Sequence, residues 1–217
     1  MQESYLVKSK DYFSIIREDI ISFIGNEKDL NILEIGAGSG ETLLELKHRG
    51  IANKISGFDI VDINSNKKKF DHFVIGNIEN QSNPFDKKEF DIIILADVLE
   101  HLYDPQKVIQ KMIPSLKTGG SFYISLPNIR NVKALYQIFI KGSFEYEESG
   151  IFDKTHVRFY CKKDMIRLFS SFEELQIVKV ESNLKHISSI KTALNKLTFG
   201  FFEQFLSLQY FIKVTVK

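Results

Sequence analysis

The 217-residue sequence contains no tryptophan, four prolines and a single cysteine. The lone Cys161 excludes an intrachain disulfide and a metal site built on several thiolates. It also fits a reducing compartment. Charge of one sign is missing as well, since 29 Lys and Arg stand against 28 Asp and Glu. No basic face is imposed, so nucleic acid is not expected as a partner. The one basic run, Lys67-Lys68-Lys69, reads as a solvated turn. No apolar stretch approaches the roughly 20 residues that cross a bilayer. Residues 1–10 carry charges and no apolar centre, unlike a secretory signal. These absences point to a cytoplasmic protein. No repeat, low-complexity tract or linker divides the chain, so one domain over 1–217 is expected.

What is present is an alternation of strand-like and helix-like segments. Apolar residues at 12, 13, 15, 16, 20, 21, 23 and 24 form a helical stripe ending at Gly25-Asn26. Strands are expected at Asn31–Ile35, Lys54–Ile60, Phe70–Ile75, Phe90–Leu95 and Ser121–Leu126. Helices are expected at Glu41–His48 and Pro105–Leu116, with Lys117–Gly120 as a turn. The nearly all-apolar Phe90–Leu95 suits a strand covered on both faces. Units of this kind build a parallel α/β sheet with right-handed crossovers. Beyond Pro127 a helix over Val132–Lys141 leads into a polar loop from Gly142 to His156. A helix at Asp164–Phe169, a strand at Glu173–Glu181, a helical aromatic-rich segment near 187–206 and a strand at Tyr210–Val216 complete the chain.

Leu33-Glu34-Ile35-Gly36-Ala37-Gly38-Ser39-Gly40 ends the first strand and opens a helix. Its glycines allow a tight turn and close approach of a ligand to the main chain. The helix start offers unpaired N–H groups to an anionic group such as a carboxylate. The dinucleotide fingerprint G-x-G-x-x-G would place its third glycine at 41, where this chain has Glu41. Asp59, about 20 residues past the loop, is placed to accept hydrogen bonds from ribose hydroxyls, a role that nicotinamide and other nucleoside cofactors share.

The E-x-G-x-G-x-G loop, Asp59, Gly76-Asn77-Ile78-Glu79 and the Phe90–His101 segment, taken in order with Leu116–Asn128, resemble the successive motifs of class I S-adenosylmethionine-dependent methyltransferases. The resemblance covers roughly residues 30–128. It implies a Rossmann-like, doubly wound, seven-stranded sheet, mostly parallel with an antiparallel last strand. The division it suggests is a helical segment over 1–27, a cofactor-binding core over 28–128, and a substrate loop, helices and the last two strands over 129–217. It implies that Gly36, Ala37 and Gly38 lie against the methionine part of S-adenosylmethionine, with Glu34 at its amino group. Asp59 would bind the ribose, Ile60 would pack on adenine, and Asn77 and Ile78 would meet the adenine edge and face. Asn77 replaces a common Asp, and its carbonyl can still accept from adenine. S-adenosylhomocysteine would be the product.

Asp97, Val98 and His101 lie in D-V-L-E-H-L, beyond the fourth strand's carboxyl end, where open α/β sheets bind ligands. His101 is a candidate general base, since imidazole titrates near neutrality; shaping the pocket is its other reading. Ser125-Leu126-Pro127-Asn128 and Asp153-Lys154-Thr155-His156-Val157-Arg158-Phe159 resemble strings of a subgroup associated with bacterial polysaccharide biosynthesis. Asn128, Asp153, His156 and Arg158 are therefore candidate substrate contacts, with His156 a second candidate base. Strand-like alternation would put His156 and Arg158 on one face. An Asp153–Arg158 ion pair pinning the loop is the alternative. The aromatic stretch 197–212 is expected as core against the sheet edge, with a substrate cap, a membrane contact or a dimer face as other roles.

The expected activity is methyl transfer to a small-molecule or saccharide hydroxyl, without a metal. An amine or a quinone-like phenol remains open as acceptor, as do a non-catalytic cofactor-binding module and, against Glu41, an NAD-dependent oxidoreductase. A monomer and a homodimer are both compatible with the sequence.

Overall fold

Seven strands form one sheet in the computed structural model, which describes residues 14–63, 67–85, 87–184 and 189–217. They are β1 (Leu30–Ile35), β2 (Ala52–Asp59), β3 (His72–Ile75), β4 (Phe90–Ala96), β5 (Leu116–Pro127), β6 (Leu175–Ser182) and β7 (Gln209–Val216). Their spatial order is β3-β2-β1-β4-β5-β7-β6. The pairs among β1 to β5 are parallel, and β7 runs antiparallel to both β5 and β6. The doubly wound, mostly parallel sheet with an antiparallel last strand is thus the observed fold.

Alternation along the strands sends successive side chains to opposite faces. On one face Ile32, Ile92, Ile94, Tyr123 and Phe211 pack with α1 (Glu18–Ile24) and α2 (Glu41–His48). On the other, Leu33, Ile35, Ile93, Leu95, Phe122 and Ile124 share a core with α3 (Pro105–Met112) and α5 (Lys162–Ser170). Between these two helices the chain forms α4 (Val132–Leu135). Pro105 opens α3 behind Asp104, whose Oδ1 accepts from Lys107 N at 3.0 Å. Among the described residues no helix is long and apolar enough to cross a membrane.

Several segments depart from the sequence expectations for identifiable reasons. Tyr12 and Phe13, like the rest of 1–13, lie outside the described residues. The helix begins only at Glu18, because Arg17 is drawn away from helical geometry (φ −84°, ψ 73°) into ion pairs with Asp97 and Asp19. Ile15, expected on the buried stripe, is 61% exposed. Lys117–Gly120 is not a turn between elements but an irregularity inside β5, with a register shift against β4. Gly120 sits so close to β4 that a Cβ would lie 3.1 Å from Phe90 O. The helix expected over 132–141 is α4 followed by a π-helical turn over Tyr136–Ile140. The aromatic stretch divides: Tyr210 and Phe211 are core on β7, whereas Phe199 is fully exposed and Phe201 mostly so, beyond the end of α6 (Ser189–Leu197). The core expectation therefore fails for Leu197, Phe199, Phe201 and Phe202, which stay exposed even though Phe201 and Phe202 pack edge-to-face on each other.

A pair of asparagines joins the end of β5 to the chain entering β7. Asn128 Nδ2 donates to Gln204 O at 2.8 Å and Ser207 O at 2.9 Å, and its Oδ1 accepts from Arg130 N at 3.1 Å. Asn131 Oδ1 caps α4 through Lys133 N, and its Nδ2 donates to Ser207 O. Both side chains are 1% exposed, so water cannot replace these bonds. Replacing Asn128 with Ala leaves buried main-chain groups without partners. We expect a loss of about 2–3 kcal/mol, read as a lower urea midpoint at unchanged slope.

Candidate functional site

The strand order reverses between β1 and β4, since the chain winds from β1 outward to β3 and then returns to β4. Such a reversal leaves a crevice beyond the strands' carboxyl ends. Here it holds a cavity of about 490 Å³, a size suited to a small organic ligand. All ten residues expected to meet the cofactor line it: Glu34, Gly36, Ala37 and Gly38 after β1, Asp59 and Ile60 after β2, Asn77 and Ile78 after β3, and Asp97 and Val98 after β4.

The glycine loop is held from both sides. Gly36 has φ +76°, donates to Phe58 O at 2.8 Å, and leaves no room for a Cβ, which would meet Val98 Cγ2 at 2.8 Å. Gly38 N donates to Asp59 Oδ2 at 2.7 Å, and Val61 N donates to Asp59 Oδ1 at 2.9 Å. Asp59 thus fixes the loop and also faces the cavity. Burial raises its pKa, and these N–H donors partly oppose the shift.

Glu34 is 4% exposed, and its Oε2 has no hydrogen-bond partner. Burial pushes its carboxyl up to about 8, Arg17 counters this, and nearby Asp59 adds to it. A cationic group arriving beside Glu34 would favour the carboxylate. Asn77 lines the same cavity with its Oδ1 already accepting from Glu79 N at 2.9 Å, so one of its two lone pairs is used within the loop.

Arg17 is the lining residue that motif reading missed. Burial lowers its pKa, but Asp97 and Asp19 outweigh this and hold it charged. Its Nη1 meets Asp97 Oδ2 at 2.5 Å, and its Nη2 reaches Ser125 Oγ at 3.2 Å. Gln209 at the start of β7 donates to the same Asp97. Asp97 itself adopts φ 55°, a left-handed conformation unusual for a residue with a Cβ. Its N–H bonds to Ser125 help hold it there. No local pattern around Arg17 announces the role, because the site partners Asp97, Ser125 and Gln209 lie 80 or more residues away.

His101 also lines the cavity. Its Nδ1 lies 3.1 Å from Thr155 O, and a carbonyl only accepts, so Nδ1 carries the proton. Burial, then neighbouring His156, lowers its pKa to about 4. His156 stands one layer behind, 7% exposed, with ring centroids 4.7 Å apart and Nδ1 2.9 Å from Ile151 O. Beside them is Glu100, 1% exposed, whose carboxyl is pushed up by burial and by Asp97.

The D-x-T-H-x-R string packs around this cluster rather than over the cavity. Glu100 O accepts from Val157 N and Arg158 N, each at 3.0 Å. Arg158 donates through Nε to Leu102 O at 3.1 Å and through Nη2 to Tyr103 O. Asp153 Oδ1 accepts from Thr155 N and Oγ1. The face that His156 and Arg158 were expected to share does not form: the segment is not a strand, His156 is buried and Arg158 exposed. Asn128, Asp153, His156 and Arg158 all lie outside the cavity lining. The preceding loop is organised by its own aromatic contacts, with Phe144 4.9 Å from Phe152 and 5.1 Å from Phe159.

Comparison with known proteins agrees with this geometry. A family model described as a methyltransferase domain matches residues 10–178. The chain is 28% identical over 138 residues to the ubiquinone biosynthesis O-methyltransferase of Coxiella burnetii (strain RSA 493 / Nine Mile phase I), covering 56% of this chain and 57% of that protein. It is 28% identical over 109 residues to the ubiquinone/menaquinone biosynthesis C-methyltransferase UbiE of Idiomarina loihiensis, covering 46% and 43%. The chain therefore spans about half the length of these curated relatives. In fold it resembles a SAM-dependent methyltransferase from Archaeoglobus fulgidus, with TM-score 0.60, 18% identity, and coverage of 99% of this chain and 97% of that one.

The lowered pKa of His101 has a thermodynamic consequence. Between about 4 and its ordinary 6.5, the unfolded imidazole binds a proton that the folded one does not. Its contribution to stability is complete above pH 6.5 and declines as pH falls towards 4. The full change is about 3 kcal/mol. Urea unfolding of wild type and His101→Gln at pH 7 and pH 4.5 should show a difference between the two proteins that shifts in the variant's favour at the lower pH.

Proposed function

The chain belongs to the methyltransferase-domain family, and from that premise we propose that it transfers a methyl group from S-adenosylmethionine to a hydroxyl oxygen of a small molecule. The observation that carries this reading is Glu34: a buried carboxyl with an unpartnered oxygen, beside a glycine loop and Asp59 in one cavity. That combination fits the cofactor. Glu34 would take its ammonium group, the main chain of Gly36, Ala37 and Gly38 its methionine part, and Asp59 its ribose. Ile60 and Ile78 would pack on adenine, with Asn77 at its edge. Asp97 and Val98 would close the methionine side. A pyrophosphate suits this wall poorly, since Glu34, Asp59 and Asp97 all face the cavity and Arg17 is already paired with Asp97.

When bound, the sulfonium supplies an electrophilic methyl group with a neutral thioether as leaving group. The protein's own contribution is alignment of an acceptor oxygen with that methyl in a site that excludes water. His101 is placed at the wall to meet the acceptor, and the hydroxyl proton would leave to solvent as the methyl is transferred. Asp153 and Arg158 would serve the acceptor indirectly, by holding the turn that carries Glu100 and His101. Asn128 would do so by fixing the end of β5.

The ubiquinone O-methyltransferase relatives support a phenolic hydroxyl as acceptor. A saccharide hydroxyl draws support only from the S-L-P-N and D-x-T-H-x-R strings, whose polar groups are spent largely on main-chain partners here. We therefore favour the phenol. Calorimetry with S-adenosylmethionine and S-adenosylhomocysteine is the primary test, followed by an S-adenosylhomocysteine-release assay on catechols and on saccharides. Turnover of catechols alone is the expected result. Turnover of saccharides alone reverses the acceptor assignment. Tight binding without turnover on either panel favours a non-catalytic module, and failure of well-folded protein to bind either ligand sinks the proposal.

Glu34 makes the cofactor assignment testable on its own. With a pKa near 8 it is largely protonated at pH 7. Pairing with an ammonium group should therefore release up to about one proton. Calorimetry in buffers of different ionisation enthalpy should detect that release in wild type and a much smaller one in Glu34→Gln.

A further inference from the structure

The cluster behind His101 combines three features that methyl transfer alone does not require. Glu100, His101 and His156 each offer a donor atom, all three are buried, and the donors lie within 4.8 Å of one another. His156 Nε2 is 3.9 Å from Glu100 Oε1. The other carboxyl oxygen, Glu100 Oε2, is buried with no hydrogen-bond partner. A carboxyl group in that position is costly to bury unless something compensates it.

Each histidine is held by a bond through Nδ1 to a main-chain carbonyl, Thr155 O for His101 and Ile151 O for His156. A carbonyl accepts only, so in the neutral ring Nε2 carries the lone pair. A carbonyl bonded to the far nitrogen is the usual support of a metal-binding imidazole, since it fixes both tautomer and ring direction. The surroundings also favour a cation. Asp97 and Asp153 both add negative potential at Glu100, against the single positive charge of Arg17.

We propose that Glu100, His101 and His156 bind one divalent first-row transition ion at the inner wall of the cavity. The inference rests on reading that cavity as the methyl-transfer site. Two imidazoles and one carboxylate suit Zn²⁺, Co²⁺ or Fe²⁺, whereas Mg²⁺ and Ca²⁺ favour oxygen ligands. A tetrahedral ion about 2.1 Å from each donor needs donor separations of about 3.4 Å. The donors lie within 4.8 Å of one another, so each pair must close by up to about 1.4 Å to reach that value. Three protein ligands leave a fourth position open, and His101 places the ion next to the cavity. That position would receive the acceptor hydroxyl. This revises the expectation, drawn from the sequence, of a metal-independent protein.

The test uses the full chain, freed of metal with a chelator and then titrated with Co²⁺. Visible absorption reports coordination and equilibrium dialysis reports stoichiometry. One Co²⁺ per chain, with absorption bands abolished by Zn²⁺, is expected. Glu100→Gln and His156→Ala should each weaken Co²⁺ binding by about ten-fold or more. Retained cooperative unfolding would show that these variants are folded. Wild type that takes up no more Co²⁺ than folded variants would overturn the proposal, as would tight binding that both variants leave unchanged. Should one variant fail to fold, the other decides. S-adenosylhomocysteine binding is measured on the same samples. Loss of that binding in wild type counts against the methyl-transfer reading, while Co²⁺ uptake answers the metal question separately.

Discussion

The ion pair between Arg17 and Asp97 is the contact on which the arrangement of the site depends. Asp97 ends the central strand in a backbone conformation that a β-carbon disfavours, and it stays there because Arg17, Ser125 and Gln209 all bond to its carboxylate. Those partners come from the segment before α1, from β5 and from β7. One carboxylate therefore ties together the N-terminal strap, the parallel half of the sheet and the antiparallel strand. Because Arg17 is mostly shielded from solvent, the pair is screened less than a surface ion pair. Its loss would leave a charge facing the cavity with no counterion.

Burial works differently on the two ends of that cavity. At the glycine loop, Asp59 is buried but receives two main-chain N–H groups. Glu34, on the neighbouring strand, receives none at Oε2. The first carboxylate is spent on shaping the loop, and the second keeps an unpartnered oxygen in a residue that lines the cavity. The same division recurs beyond β4. Arg158 and Asp153 are consumed by main-chain bonds, whereas Glu100 keeps an unpartnered oxygen. At both places the scaffold satisfies one polar group and leaves a neighbouring carboxyl oxygen without a hydrogen bond.

Much of this was legible in the sequence wherever the signal is local. Phe90–Leu95 reads as a doubly covered strand because its own composition requires it, and the glycine loop announces a ligand because its backbone geometry is encoded within five residues. Asp59 and Asp97 are placed once the strand ends are, whereas Asn77 comes only with the resemblance to the methyltransferase family. The exceptions share one physical cause. Arg17 bonds across 80 residues to Asp97, and that distant partner keeps the helix over Glu18–Ile24 from including Arg17. Arg158 looks like an anion-binding side chain until its carbonyl partners at Leu102 and Tyr103 come into view. The aromatic residues at 199 and 201 have a core composition without a core to join.

The position of β7 bears on the order in which the molecule is assembled. This strand lies between β5 and β6, so those two cannot hydrogen-bond to one another and must wait for residues 209–216. Until then β5 presents an open edge of the kind that pairs with other chains. Gln209 and the main-chain carbonyls that anchor Asn128 arrive with the same segment. On a translating ribosome the β1–β5 half of the sheet can form before residues 209–216 emerge, while completion of the cavity waits for them, paced by contacts distant in sequence. A nascent chain thus shapes its glycine loop well before Gln209 can complete the opposite side of the cavity.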